Sequence, residues 1–124
     1  MRLLVVEDQK ALRTGLRSIL EEDEGFEVDV APSGEAALDC VPRFQPDVIL
    51  MDVYLPGMSG IEATRRVVRL APGTAVVMLS LFDSADLVDA ALEAGASSYL
   101  VKDAPLDQIL SAIESAAVGG SVRT

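Results

Sequence analysis

The sequence predicts an α/β fold: a doubly wound, five-stranded parallel sheet with helices on both faces. Three observations point there. Short apolar runs alternate along the chain with longer segments whose apolar residues recur at helical spacing. Repeated strand–helix–strand units need right-handed crossovers, and these cover both faces of a parallel sheet. The length of 124 residues suits one domain, large enough to bury a core without disulfides or metal staples.

The elements follow in order. Arg2 to Val6 is a continuous apolar run, as a strand buried on both faces requires. Lys10 to Glu22 places Leu12, Leu16, Ile19 and Leu20 on one helical face; the acidic run Glu21-Glu22-Asp23-Glu24 and then Gly25 end it. Phe26, Val28 and Val30 alternate with Glu27 and Asp29, the period of an outer strand. Ser33 begins a helix with Ala37, Leu38 and Val41 inward, and Pro42 is expected to stop it. Asp47 to Met51 is a second fully apolar strand, ending at Asp52, with a loop marked by Pro56-Gly57. Ser59 caps a helix carrying Ile61, Val67 and Val68, and Pro72-Gly73 marks the next turn. Ala75 to Leu79 is a strand ending at Ser80. Ala85 to Ala94 is a helix closed by Gly95. Ser98 to Val101 is the last strand, ending at Lys102. Pro105 suits the first turn of a final helix, with Leu106, Ile109, Leu110 and Ile113 inward to about Ala117. Gly119-Gly120 is expected to end it, so residues 1–118 read as one domain and 119–124 as the start of a linker.

Composition excludes several functions. Ten basic against twenty acidic residues give a net charge of −10, which argues against this chain itself holding nucleic acid or anionic lipid. Half the residues are hydrophobic, too many for a disordered chain, yet no apolar run reaches the roughly 18 residues of a membrane span. The acidic Glu7-Asp8 comes too early for a signal peptide, and the single Cys40, read as a small buried apolar residue, fits a reducing cytoplasm. There is no histidine, so Ser-His-Asp and Cys-His sites, histidine zinc sites and a phosphohistidine of the chain's own are all ruled out. No phosphate-binding glycine loop, dinucleotide fingerprint, C-x-x-C pair or nucleophile elbow occurs.

Four strand ends carry polar residues where the apolar run stops: Glu7-Asp8, Asp52, Ser80 and Lys102. Open parallel sheets bind ligands outside the carboxyl ends of their strands, so the fold would gather these side chains at one edge. Three carboxylates there would repel one another unless a cation sat among them. Magnesium suits such a site: it takes hard oxygen ligands, keeps several waters and uses one or two carboxylates. Asp8 and Asp52 suit direct ligation, Glu7 suits a magnesium-bound water, and a main-chain carbonyl just after Asp52 could complete the shell. The remaining groups suit a phosphoryl group. An aspartate oxygen can attack phosphorus, while Lys102 and the Ser80 hydroxyl serve the equatorial oxygens. Taken singly, each has an ordinary reading: Asp8 a helix cap, Lys102 a surface partner of Asp52, Ser80 a turn residue. Together they fall where the fold would collect them.

Over essentially its whole length the chain resembles the receiver domains of two-component response regulators. The resemblance rests on Val5-Val6-Glu7-Asp8, on Ile49 to Gly60, on Met78-Leu79-Ser80, and on Ala94-Gly95-Ala96 with Tyr99-Leu100-Val101-Lys102. It implies a flavodoxin-like strand order 2-1-3-4-5, an order that the residues alone do not choose. It implies that Asp52 accepts a phosphoryl group from the phosphohistidine of a sensor kinase. Glu7, Asp8 and Asp52 would hold Mg²⁺ together with the main-chain carbonyl of Tyr54, Lys102 would contact the phosphate, and Ser80 and Tyr99 would form the hydroxyl–aromatic switch. The expected output is a changed association surface, with a homodimer through the receiver and transcription control through a DNA-binding domain not in this chain. Enzymatic activity would be limited to self-phosphotransfer and autodephosphorylation.

Two departures from the family pattern carry expectations. Leu81 follows the switch hydroxyl where the family is usually small, which should slow loss of the phosphoryl group. Asp103 follows Lys102 where many receivers have proline, so a trans bond is expected there. The Lys-Asp ending and Gly119-Gly120 resemble the NarL/FixJ subfamily, in which a helix-turn-helix domain follows the receiver. Two other functions compete. A magnesium-dependent aspartyl phosphatase of the haloacid-dehalogenase type needs a second aspartate two residues after the nucleophile, where this chain has Tyr54. A degenerate receiver would keep the fold and act only as a protein-binding module.

Overall fold

The computed structural model describes residues 1–23 and 25–122. Five strands and five helices alternate: β1 (Arg2–Val6), α1 (Lys10–Glu21), β2 (Glu27–Ala31), α2 (Gly34–Phe44), β3 (Val48–Asp52), α3 (Gly60–Leu70), β4 (Ala75–Ser80), α4 (Ala85–Ala94), β5 (Ser98–Val101) and α5 (Leu106–Val122). All neighbouring strands are parallel, in the order β2-β1-β3-β4-β5. The doubly wound fold class and its flavodoxin-like order are therefore as expected.

Alternation along the inner strands divides the core in two. Leu4, Val6, Ile49, Met51, Val76 and Met78 face α2, α3 and α4, where they meet Ala37, Val41, Ala63, Val67 and Ala91. Leu3, Val5, Val48, Leu50, Val77 and Leu79 face the other way and meet Leu20 of α1 and Ile109, Ile113 and Ala116 of α5. β1, β3 and β4 are buried on both faces, which explains why they read as unbroken apolar runs.

Local chemistry sets the helix starts. Ser33, Ser59 and Ser84 each cap a helix, their hydroxyls accepting from the N–H of Ala36, Glu62 and Leu87. Gly95 closes α4 at φ 113°, where a β-carbon would also meet Val68.

Several expectations need correction. Pro42 does not stop α2; the helix runs on to Phe44 and ends on Gln45, which is left-handed at φ 53° with its N–H bound to Val41 O. Pro42 is exposed and lies close to the helix end, where a missing N–H costs little continuation. α5 passes through Gly119-Gly120 to Val122, so the helix does not end where the linker was expected to begin; Arg123 and Thr124 lie outside the described residues. Ile19 and Leu106 were expected inward, yet they are 44% and 43% exposed. Each lies at the margin of its apolar stripe, and the neighbouring Leu20 and Ile109 take the core positions. Cys40 is buried as expected, and no cis peptide bond occurs among the described residues.

Candidate functional site

The register of the sheet brings the carboxyl ends of β1, β3 and β4 together. Val6 pairs with Met51, Met51 with Met78, and Asp52 with Leu79, so the residues just beyond these pairs share one edge. β5 joins them through Ser80 and Val101, which puts Lys102 at the same edge; its N–H donates to Ser80 O at 2.7 Å. Glu7, Asp8, Asp52 and Lys102 thus meet in one pit.

Glu7 is 2% and Asp52 6% exposed, whereas Asp8 stands in solvent. Carboxylate oxygens of Glu7, Asp8 and Asp52 all lie within 4.8 Å of one another. Lys102 Nζ donates to Glu7 Oε1 at 2.6 Å and to Asp52 Oδ2 at 2.9 Å. Burial works against the charge on Lys102, but hydrogen bonds and charge from Glu7 and Asp52 outweigh it and hold the ammonium above its usual 10.5. The second oxygens are also engaged: Glu7 Oε2 accepts from Gln9 N–H at 3.0 Å and Asp52 Oδ1 from Tyr54 N–H at 3.3 Å. Asp8 does not cap α1. Its place at the cap position is taken by Gln9, whose side chain makes no capping bond.

The chemistry of this donor set fits a divalent cation. In formal charge, three carboxylates against one ammonium leave two negative charges. The oxygens are hard, and the exposed Asp8 opens one side to water, as a partly hydrated magnesium ion needs. Asp8, Asp52, Tyr54 and Lys102 line a cleft of about 170 Å³ whose rim is completed by Gln9, Leu81 and Phe82. The rim is apolar: Tyr54, Leu81 and Phe82 are 56%, 69% and 56% exposed, and the Tyr54 and Phe82 rings meet edge to face at 5.5 Å. A larger cavity of about 320 Å³ lies at the C-terminal ends of α2 and α3, but no ionisable side chain lines it.

Ser80 and Tyr99 sit differently from the acids. Ser80 is fully buried and its hydroxyl accepts from Phe82 N–H at 3.2 Å, the turn bond its ordinary reading anticipates. Tyr99 is half-buried against the α2–α4 core, and its hydroxyl donates to the Phe82 carbonyl. Both residues therefore converge on the two sides of one residue, Phe82.

Two contributors escaped the sequence reading. Gly60 approaches the main chain of β3 so closely that a β-carbon would fall on the Asp52 carbonyl oxygen, and its N–H donates to Val53 O. Arg13 Nη1 reaches back from α1 to the carbonyls of Glu7 and Asp8, at 2.9 and 3.3 Å. Glycine after a Ser cap and a basic residue one turn into a helix are both too common to signal such contacts.

Comparison with known proteins gives the family. The model of the response regulator receiver domain matches residues 3–114. The chain belongs to the response-regulator receiver family. Receiver domains of transcriptional regulators are generally non-enzymatic signalling domains, and receivers generally bind Mg²⁺ through acidic residues. Among the relatives are the transcriptional regulatory protein DegU of Brevibacillus brevis, 35% identical over 98% of this chain and 52% of its own, and the response regulator GacA of Pseudomonas aeruginosa, 36% identical over 96% and 56%. The chain thus spans about half the length of the curated relatives it matches. The signal receiver domain of the response regulator NarL from Mycobacterium tuberculosis superposes with a TM-score of 0.89 at 32% identity, covering 95% of this chain and 96% of that one. A CheY-like receiver from Methanospirillum hungatei gives 0.90 at 28%, over 99% and 98%. The NarL/FixJ resemblance read from the sequence is therefore sound. No helix among the described residues is long and apolar enough to cross a membrane.

Proposed function

We propose that this receiver is a phosphorylation switch in which Asp52 accepts a phosphoryl group from the phosphohistidine of a sensor histidine kinase. The observation that carries the reading is Lys102 Nζ held on Asp52 Oδ2 and Glu7 Oε1 inside the acidic pit. An Asp52 carboxylate oxygen bonds to phosphorus as the phosphorus–nitrogen bond to the donor imidazole breaks, and the imidazole leaves with the bonding pair and takes a proton. Lys102 is free to exchange a carboxylate oxygen for a phosphoryl oxygen as charge gathers there. Asp8, Asp52 and the Tyr54 carbonyl would hold Mg²⁺ and Glu7 one of its waters, as the family resemblance implies. When bound, Mg²⁺ neutralises charge on the transferring group.

The switch follows from the shared contacts at Phe82. If the Ser80 hydroxyl turns to donate to the phosphoryl group, Phe82 N–H loses its acceptor. The β4–α4 loop that anchors the Tyr99 hydroxyl is then free to shift. The association surface near α4 and β5 changes with it, favouring a receiver homodimer and transcription control through a DNA-binding output domain, in the cytoplasm. The test is mass spectrometry after incubation with acetyl phosphate and Mg²⁺. The wild type gains one phosphoryl group and Asp52→Ala gains none. An unmodified wild type, or the same adduct on Asp52→Ala, overturns the reading.

A further inference from the structure

The backbone that carries Asp8 has an unusual support. β1 leaves the sheet at Val6, and the N–H of Glu7 makes a last bond to Ala31 O at 3.0 Å. The carbonyls of Glu7 and Asp8 then lie beyond the ladder. α1 offers no help from its own cap, because Gln9 makes no side-chain capping bond. Among the described residues, no hydrogen bond or ion pair engages the Asp8 carboxylate, so what the fold holds in place at Asp8 is the main chain that carries it. One nitrogen of Arg13 holds both carbonyls of that main chain.

We propose that Arg13 is a positioning residue for the cation site, its guanidinium clamping the Glu7 and Asp8 carbonyls so that the Asp8 carboxylate is aimed into the cleft beside Asp52. The inference rests on the cation reading of the cluster. It has a sign that separates it from simple electrostatics. Arg13 adds positive charge near the acids, so if charge were its only effect, removing it would tighten Mg²⁺ binding. A clamp predicts the reverse, because groups that orient metal ligands from behind cost affinity when lost.

The experiment is calorimetric titration of Mg²⁺ into the 124-residue chain as wild type, Arg13→Gln and Arg13→Lys, alongside melting temperatures with and without Mg²⁺. Arg13→Gln is expected to bind Mg²⁺ about tenfold more weakly. Arg13→Lys, which keeps the charge on a shorter reach, should fall between. A destabilised Arg13→Gln that binds Mg²⁺ as well as wild type, or better, overturns the clamp while leaving the cation site standing. A wild type that takes up no Mg²⁺ at millimolar concentration overturns both. Should Arg13→Gln not fold, Arg13→Lys decides: weaker binding supports the clamp and wild-type affinity overturns it.

Discussion

Lys102 is the residue on which the acidic site turns, because its ammonium holds Glu7 and Asp52 together. Its raised pKa makes a statement about stability. The folded chain binds the Lys102 proton more tightly than the unfolded chain does. That contribution is fully present below the unfolded value of about 10.4 and is lost as the pH rises through the higher folded value. From neutral pH up to that value, denaturant unfolding of wild type and Lys102→Met should therefore differ by a constant, and the difference should shrink above it. A difference that does not shrink at alkaline pH would mean that Lys102 contributes packing rather than charge. Cys40 makes the complementary case. Burial first, then the neighbouring Asp29, pushes its thiol above 9.0, and its Sγ lies 3.6 Å from Asp29 Oδ2. The thiolate is the reactive form, so a thiol reagent near neutral pH should modify the native chain far more slowly than the unfolded chain. Equal rates would contradict the buried, protonated placement.

The elements position these residues through contacts that side-chain patterns do not reveal. α3 begins where Gly60 presses on the Asp52 carbonyl, so Gly60→Ala must push the helix off β3 or distort the strand end that bears the acid. Overpacking of this kind costs about 1–3 kcal/mol and here should reach at least the upper figure, since the opposing atom is main chain. Thermal unfolding of Gly60→Ala checks it, and a variant as stable as wild type would show that α3 can slide. The β4–α4 loop carries the apolar rim. Leu81→Ala opens the cleft to water and should shorten the lifetime of the Asp52 acyl phosphate, read as phosphate release from the phosphorylated chain; an unchanged lifetime would show that Leu81 shields nothing. Much of this scale was legible beforehand. β1, β3 and β4 are buried on both faces and leave little freedom in their reading, and Ser33 and Ser59 mark helix starts through their hydroxyls and Gly95 a helix end through its backbone. Pro42 and Gly119-Gly120 misled because a proline near a helix end forfeits one hydrogen bond and a glycine costs backbone entropy, and neither alone ends a helix. Gly60 and Arg13 were invisible for a related reason: each acts on main-chain atoms of a distant segment, and the sequence places side-chain types but not carbonyls.

At the scale of the whole molecule, two cores clamp one sheet, and the cost of crowding three carboxylates falls at the edge that neither core covers. The strand ends that converge there were legible as polar stops after apolar runs, because the carboxyl edge of a parallel sheet is where such residues must meet. What the sequence left open was how the crowding is relieved. The structure answers with Lys102, whose two ion pairs span β1, β3 and β5. Folding and cation binding are then coupled, and the coupling can be measured. A ligand that binds only the folded chain stabilises it by about 2.7 kcal/mol at a hundredfold excess over its Kd, so Mg²⁺ should raise the melting temperature of the wild type. Lys102→Met removes the internal cation and leaves three carboxylates facing one another, so it should melt lower without Mg²⁺. Its gain on adding Mg²⁺ should exceed that of wild type, because the ion then relieves repulsion that Lys102 had already reduced in the parent chain. Asp8→Asn should show the opposite pattern: with one carboxylate fewer it has less repulsion and a weaker hold on the ion, so it should start no lower than wild type and gain less. Equal gains in all three chains would mean that the cation binds elsewhere on this acidic surface, and the pit would then be a structural ion pair rather than a metal site.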